Sequence, residues 1–314
     1  MQDNGKNWSY YTLSILATTL WGSAFAGAKI GFEYMPPMML SGFRFMLAGV
    51  LLLPLIAIMK IDWRGQLSNW RFMLLFGLLQ TFLQYGLFYA GLNLVPGALA
   101  AIIIGAGPLF TAIMAHLTLP NDKLNSRKVF AILLGVMGVV SISVGKGSHA
   151  AINPLFYRGM ILLMVSNIVG SYTNIMVIKR TTPIAPILLT SFANFTGGLL
   201  LLVVSLFVEP TEVLTHGSLP MEFYLALLWL AIIPAAGFSI WYNLLQRPGV
   251  KVSELNVMKF IIPVVGVLLS WLLLPDESPS WSATIGIVII SASVIILQMP
   301  KRRPLQGGEI SKIP

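Results

Sequence analysis

Two basic residues lie inside long apolar segments of this sequence, where a charge is costly. Lys259 stands in "LNVMKFIIPVVGVLLSWLLLP", four residues before Pro263, and Arg44 stands in a comparable segment after Pro37. A charged side chain at membrane depth costs about 2.5–3.5 kcal/mol on insertion scales, so it usually has a function or reaches an interface. Small and polar residues recur at three- and four-residue steps around Lys259, which places it on a helix face that lines a contact or a cavity.

Two interpretations of these cations remain open at this point. Each side chain either extends to the nearer membrane interface or pairs structurally, or it lines a solute cavity. In the second case the cavity has a positive bias, which favours a substrate that carries a carboxylate or a phosphate. An intramembrane amide is in turn either a ligand contact or an interhelical hydrogen bond, which contributes about 0.6–2 kcal/mol. With both alternatives open, the candidate substrate-binding residues are Lys259, Asn256, Gln80, Gln84, Tyr89, Trp241, Asn167, Tyr172, Asn174, Asn194, Arg44 and Trp21.

Prolines and one carboxylate complete the set of candidate residues. Pro108, Pro234 and Pro263 fall inside apolar segments, where each removes a backbone hydrogen bond and permits a hinge. Carboxylates that could relay protons are scarce within the apolar segments, and Glu254 is the candidate for coupling to an ion or proton gradient.

Several kinds of chemistry are absent from the sequence. It contains no cysteine, and its three histidines are isolated from other metal-ligating residues. It contains no phosphate-binding loop, no dinucleotide fingerprint and no serine–histidine–acid set. We therefore expect no catalytic residue, no metal and no cofactor, and the chain is not predicted to be an enzyme. The net charge of +9 is spread over short loops rather than a continuous patch, so nucleic acid is not an expected partner.

The composition indicates a membrane protein built only from helices. Of 314 residues, 56% are hydrophobic and 10% are charged, whereas soluble domains have about 25% charged residues. Apolar segments long enough to cross a bilayer alternate with short loops that contain Pro, Gly and Asn. Ten spans are predicted, over residues 10–31, 37–59, 70–93, 97–118, 126–145, 154–177, 186–208, 221–244, 252–274 and 281–299.

The loops between these spans differ in their content of lysine and arginine, which sets the predicted orientation. On one side lie fifteen: Lys6, Lys60, Arg64, Arg71, Lys123, Arg127, Lys128, Lys179, Arg180, Arg247, Lys251, Lys301, Arg302, Arg303 and Lys312. On the other side lie only Lys146 and Arg158. Because basic loops stay in the cytoplasm, both termini are predicted to be cytoplasmic.

The two halves of the sequence are similar to each other. "GPLFTAIMAHLTLPND" (107–122) aligns with "IPVVGVLLSWLLLPDE" (262–277), with Pro108 over Pro263 and Asp122 over Glu277. Five spans per half is an odd number, so the second half is predicted to be inverted in the membrane. The predicted divisions are a first five-helix repeat over 1–147, a second, inverted one over 148–300, and a basic cytoplasmic tail over 301–314. Inverted repeats usually enclose a binding site at mid-membrane and work by alternating access, so transport is the leading function.

The chain contains, in this order, "LWGSAFAGAK", the two prolines before "SGFRF", and the two aligned segments. With these features it resembles the EamA-type ten-helix members of the drug/metabolite transporter superfamily. The resemblance implies two inverted five-helix repeats around a central cavity and a role in exporting amino acids or related carboxylates. The alternative is an exchanger or importer of other anionic metabolites, organic or phosphorylated acids, and a membrane-embedded enzyme or receptor ranks lower. Lys259 looks like a basic position of the more distant sugar-phosphate exchangers, although Phe260 stands where a second basic residue would follow. The family usually has Gly-Glu after the fourth span, and this chain has Asn121-Asp122.

The resemblance also implies the surroundings of the protein. The expected location is the plasma membrane (the cell inner membrane in bacteria), with the bilayer and a small-molecule substrate as partners. The expected assembly is a monomer or a homodimer.

Overall fold

The computed structural model describes residues 4–95, 100, 103–144, 154–210, 219–273 and 279–298, and in this part of the chain all regular secondary structure is helical. The predicted tail over 301–314 and the loop that contains Lys146 lie outside the described residues. The α-helices with both ends described are α1 Asn4–Phe32, α2 Pro37–Leu51, α3 Leu53–Ile58, α4 Trp63–Gln66, α5 Trp70–Gly77, α6 Gln84–Leu92, α7 Gly107–Thr118, α8 Ser126–Val144, α9 Pro154–Lys179, α10 Pro186–Val208, α11 Met221–Leu245, α12 Val252–Val257, α13 Ile261–Leu273 and α14 Trp281–Gln298. A π-helical segment, Leu78–Leu83, joins α5 to α6, and a 3-10 turn, Met258–Phe260, joins α12 to α13.

Most helical segments are long and apolar enough to cross a membrane. Seven such segments occur among the described residues: Pro37–Ile58, Trp63–Leu92, Ser126–Ser143, Leu155–Lys179, Pro186–Val208, Met221–Leu245 and Val252–Leu269. Two shorter apolar helices, Ile103–Thr118 and Trp281–Leu297, and helix α1 lie at the other three predicted positions. The protein is therefore an all-helical membrane protein with about ten apolar helical segments, some of which contain more than one of the helices above, as the sequence predicted.

Glycines allow close contact between helices that are distant in the sequence. A Cβ atom at Gly198 of α10 would lie 2.6 Å from the backbone nitrogen of Met46 in α2. A Cβ atom at Gly286 of α14 would lie 2.6 Å from the backbone oxygen of Gly138 in α8. Because lipid provides little hydrophobic driving force between helices, such close packing is one of the main interactions that hold membrane helices together.

The three predicted hinge prolines have different positions in the helices. Pro234 lies within α11, where it interrupts the backbone hydrogen-bond pattern. Pro108 and Pro263 lie in the first turns of α7 and α13, where a proline nitrogen leaves no intrahelical hydrogen bond unmade. The helix interruption near Pro263 is the 3-10 turn Met258–Phe260, which contains Lys259. Whether any of the three acts as a hinge stays a prediction.

Candidate functional site

Side chains from α1, α2, α6, α9, α11 and the segment after α12 surround a cavity with a volume of about 320 Å³. This volume falls within the range of about 300–1,000 Å³ that is usual for small-molecule sites. Of the predicted binding residues, the cavity is lined by Trp21, Arg44, Gln80, Gln84, Tyr89, Asn174, Trp241 and Lys259. The structure thus brings together residues that are separated by more than 200 positions in the sequence.

Lys259 lies against two tryptophans of the cavity wall. Its ammonium nitrogen is 4.9 Å from the ring centroid of Trp241 and 5.8 Å from that of Trp21. The centroids of the two tryptophan rings are 5.1 Å apart, and Phe238 packs against Trp21 at 5.3 Å. A cation within about 6 Å of a tryptophan ring is attracted by the negative face of the ring. Lys259 therefore lines the cavity beside these two rings.

Arg44 is held by a second group of aromatic rings. Its guanidinium carbon lies 4.6 Å from the ring centroid of Phe45 and 5.6 Å from that of Tyr85. An Nη atom of Arg44 donates a hydrogen bond of 3.3 Å to the hydroxyl oxygen of Tyr89. Among the described residues, neither Arg44 nor Lys259 forms an ion pair with a carboxylate. Both positive charges therefore remain available to a ligand.

Several buried polar atoms of the cavity lining have no hydrogen-bond partner in the described part of the chain. They are the indole nitrogen of Trp21, Nε of Arg44, Oε1 of Gln84 and the hydroxyl of Tyr242. A buried polar atom without a partner costs about 1–3 kcal/mol. A ligand or water in the cavity would satisfy these atoms, so they mark where polar contacts are expected.

Gln80 and Gln84 reach the cavity from an irregular helix. The π-helical segment Leu78–Leu83 contains Gln80, and the backbone nitrogen of Gln84 bonds to the oxygen of Leu79, five residues earlier. Gln80 is fixed by Thr173, whose hydroxyl donates a 2.6 Å hydrogen bond to its Oε1 atom. Single π turns within α-helices are frequent at functional sites because they change the direction of nearby side chains.

Asn174 and Asn256 position Trp241. The indole nitrogen of Trp241 donates to Oδ1 of Asn174 at 3.1 Å, and Nδ2 of Asn174 donates to Oδ1 of Asn256 at 3.3 Å. Nδ2 of Asn256 donates in turn to the backbone oxygen of Val252 at 3.0 Å. Asn256 is completely buried and is not part of the cavity lining. Its hydrogen bond to the cavity lining is the one from Asn174.

Three other predicted residues do not line the cavity. Asn167 donates a 2.6 Å hydrogen bond to the backbone oxygen of Ile103, and Asn194 accepts one of 3.5 Å from Thr81. Both amides thus join helices to each other. Tyr172 has 49% of its surface exposed. It follows Ser171, which is buried, and one residue turns a helix by about 100°, so Tyr172 points away from the interior.

A polar cluster lies where α12 begins, and we call Asp122, Lys128, Ser253, Glu254 and Lys251 the Asp122 cluster. The Lys128 ammonium is 2.6 Å from Oδ1 of Asp122, and both side chains are buried. Asp122 also accepts hydrogen bonds from the backbone nitrogen of Ser253, at 2.9 Å, and from its hydroxyl. The Glu254 carboxylate is 3.6 Å from Lys128 and 3.4 Å from Lys251. Glu254 lies in this cluster and not in the cavity lining, and its role in coupling stays a prediction.

Comparison with known proteins identifies the family. The sequence model of the EamA-like transporter family matches this chain twice, over residues 8–144 and 157–299. The chain belongs to the EamA-like transporter family. This EamA-like protein is therefore a multi-pass membrane transporter and not an enzyme.

Known relatives of this EamA-like transporter match nearly its whole length. A protein named probable amino-acid metabolite efflux pump, from Escherichia coli (strain K12), is 26% identical over 290 residues, which are 90% of this chain and 93% of the relative. A protein of the same name from Salmonella typhimurium is 25% identical, with 90% and 93% covered. An uncharacterized transporter from Archaeoglobus fulgidus is 26% identical, with 93% and 99% covered. A protein of known crystal structure is 18% identical in sequence and superposes with a TM-score of 0.80. The superposition covers 94% of this chain and 99% of that protein's chain, so the two share a fold.

Part of the cavity lining of this EamA-like transporter was not predicted from its sequence. The cavity is also lined by Tyr85, Phe45, Phe238 and Tyr242. Their residue type gave no signal, because aromatic residues in apolar segments face lipid as well as cavities. Helical spacing could have identified two of them, because Phe238 precedes Trp241 by three residues and Tyr85 precedes Tyr89 by four.

Gly170 of α9 allows Gln84 to occupy its position beside the cavity. A Cβ atom at Gly170 would lie 2.7 Å from Nε2 of Gln84. We expect Gly170→Ala to displace this flexible amide and to weaken ligand binding about two- to tenfold, the effect of losing one neutral hydrogen bond. Stability should not fall, because alanine is favoured over glycine in helices by up to about 1 kcal/mol. Ligand titration and thermal unfolding of the purified variant measure the two effects.

Gly86→Ala is the matched control for this substitution. Gly86 lies in α6, and a Cβ atom there would have Leu201 at 3.7 Å as its near neighbour, an ordinary contact. Equal ligand affinity in both variants would contradict a role for Gln84 in the site.

Proposed function

We propose that this protein is a secondary transporter that exports small organic metabolites, amino acids or related carboxylates, by alternating access. The observation that carries the proposal is the pair of cations in the cavity, Lys259 and Arg44, which aromatic rings hold and no described carboxylate neutralises. A buried positive charge stabilises a carboxylate ligand strongly, because the surroundings screen the attraction little.

We further propose that the protein consists of two inverted five-helix repeats with both termini in the cytoplasm. The two separate family matches and the uneven distribution of basic residues among the loops support this arrangement. Residues of both matched segments line the cavity: Trp21, Arg44 and Gln84 belong to the first, and Asn174 and Lys259 to the second. A site shared by two repeats can open to either side when the repeats tilt against each other.

The Asp122 cluster supports alternating access, because a contact between the two matched segments at the start of α12 can open and close one end of the bundle. It joins Asp122 and Lys128 of the first matched segment to Ser253 of the second. Ser253 precedes Lys259 by six residues, which corresponds to about 9 Å along a helix. The loops at this end are the basic ones, so this contact is the proposed cytoplasmic closure.

Two relatives named probable amino-acid metabolite efflux pumps support amino acids or their derivatives as substrates and export as the direction. The second candidate function is exchange or import of other anionic metabolites, organic or phosphorylated acids. It is favoured by the two unneutralised cations, which require an anion but not an amine.

Flux measurements with purified protein in liposomes test the proposal. Liposomes loaded with unlabelled amino acids, organic acids or phosphorylated metabolites are diluted into the labelled compound, and counterflow is measured. We expect accumulation of at least one carboxylate, and we expect Tyr172→Ala, which changes an exposed residue, to retain the wild-type rate. Counterflow no greater than in empty liposomes for every compound would contradict the proposal.

The coupling role of Glu254 is tested in the same liposomes with an imposed pH gradient. We expect the gradient to accelerate wild-type transport, and we expect Glu254→Gln to lose this acceleration while counterflow continues, because exchange needs no net proton movement. Acceleration of the variant equal to that of the wild type would remove Glu254 from the coupling mechanism.

A further inference from the structure

We infer that the cavity selects carboxylates that carry no free ammonium group, and that N-acylated amino acids are the class that fits it best. This inference rests on the proposed transport function and narrows the class of substrates that the protein would carry. Three independent properties of the cavity support it: its charge, its hydrogen-bonding atoms and its aromatic faces.

Among its described lining residues, the cavity has two cations, Lys259 and Arg44, and no acidic residue. Within the helices that line it, the sequence has acidic residues only at Glu222 and Glu254, each in the first turn of its helix. Glu222 is exposed, and Glu254 contacts Lys128 and Lys251 in the Asp122 cluster. The ammonium group of a free amino acid would therefore meet Lys259 and Arg44 without a counter-charge. Acylation removes that ammonium charge and keeps the carboxylate.

The free hydrogen-bonding atoms of the cavity are mostly donors. The Lys259 ammonium, the indole nitrogen of Trp21, Nε of Arg44 and the hydroxyl of Tyr242 can all donate. Among the described lining atoms without a partner, the acceptors are Oε1 of Gln84 and the hydroxyl of Tyr242, which can also donate, while the oxygens of Gln80 and Asn174 each accept a hydrogen bond. An ammonium needs up to three acceptors, whereas an N-acyl amide offers one N–H donor and adds a carbonyl acceptor. The amide matches this set of atoms better.

Aromatic faces can bind an ammonium, but the rings closest to the two cations are already occupied. Lys259 lies over Trp21 and Trp241, and Arg44 lies over Phe45 and Tyr85. A ligand ammonium would have to compete with these internal cations for the same ring faces. The remaining rings suit an apolar side chain or acyl group.

Calorimetric titration of the purified full chain in detergent tests the inference with four matched compounds. They are L-phenylalanine, N-acetyl-L-phenylalanine, 3-phenylpropanoate and L-phenylalaninamide, which share the ring and differ in charge. We expect the two anions without an ammonium to bind at least tenfold more tightly than phenylalanine, and phenylalaninamide not to bind. Equal or tighter binding of phenylalanine, or binding of none of the carboxylates, would overturn the inference.

Gln84→Glu provides the reverse test, because it places a carboxylate where the unpartnered acceptor lies. We expect the preference for N-acetyl-L-phenylalanine over phenylalanine to fall at least tenfold in this variant. Gln66→Glu is the matched control, since the Gln66 oxygen accepts a hydrogen bond from the backbone nitrogen of Ala185 outside the cavity, and a carboxylate can do the same. An unchanged preference in Gln84→Glu would count against the inference.

Flux measurements separate this inference from the proposed function. Selective binding of N-acetyl-L-phenylalanine without flux of any compound would overturn the transport proposal and support the selectivity. Faster flux of phenylalanine than of N-acetyl-L-phenylalanine would support transport and overturn the selectivity.

Discussion

Lys259→Met is expected to weaken binding of the carboxylate ligand by about ten- to a hundredfold, because a hydrogen bond to a charged group contributes about 1.5–3 kcal/mol. Methionine has a similar length and no charge, so the contacts with Trp21 and Trp241 are largely kept. The thermal unfolding temperature should therefore not fall. Titration with the best carboxylate of the counterflow panel, together with thermal unfolding, measures both quantities.

Lys179→Met is the control for this variant. Lys179 is exposed at the end of α9, so its loss should leave ligand affinity unchanged. Affinity of Lys259→Met within twofold of the wild type would show that the Lys259 ammonium does not contact the ligand.

Asp122→Asn is expected to give the largest loss of stability, about 3–5 kcal/mol in the free energy of unfolding. Removal of one partner from a buried ion pair leaves the other charge poorly compensated. Here the buried Lys128 ammonium would lose its 2.6 Å partner and keep the more exposed Glu254 carboxylate at 3.6 Å. The substitution also weakens the acceptor for the backbone nitrogen and the hydroxyl of Ser253. Unfolding of the detergent-solubilised protein, followed by circular dichroism, measures the change.

A double variant separates the effect of the Lys128 charge from general damage at this position. Asp122→Asn combined with Lys128→Met removes both charges and should recover much of the lost stability. Asp62→Asn is a surface control, because Asp62 accepts a hydrogen bond from the backbone nitrogen of Gly65 in an exposed turn. A double variant that is as unstable as Asp122→Asn would mean that the Lys128 charge is not the cause.

Helical periodicity predicted those parts of the fold and site that depend on neighbours within one helix. The apolar segments located the helices, and the prolines marked the first residues of α2, α9 and α10. The small and polar residues around Lys259 predicted that it faces the interior, and in the structure Lys259 lines the cavity. Its role in binding a substrate stays a prediction until the variant is measured.

Periodicity within one helix could not predict contacts between helices that are distant in the sequence. Asp122 bonds to Ser253 across 131 residues, and its position in a loop gave no sign of burial. The similarity between the halves aligned Asp122 with Glu277 but did not indicate a bond to the other half. Tyr172 was a candidate binding residue, but a rotation of about 100° per residue separates it from the buried Ser171 and leaves it exposed.

The amide chain from Trp241 through Asn174 and Asn256 ends at the oxygen of Val252, the residue before Ser253 in the Asp122 cluster. The cavity wall and the Asp122 cluster are therefore linked by a chain of hydrogen bonds and one peptide bond. If the two sites are coupled, each must affect the other by the same factor. A ligand that binds more tightly when the cluster is intact must stabilise the cluster by the same factor. For such a ligand, the stability of the cluster measured against ligand concentration reports the affinity of the cavity, even when the compound is never carried across.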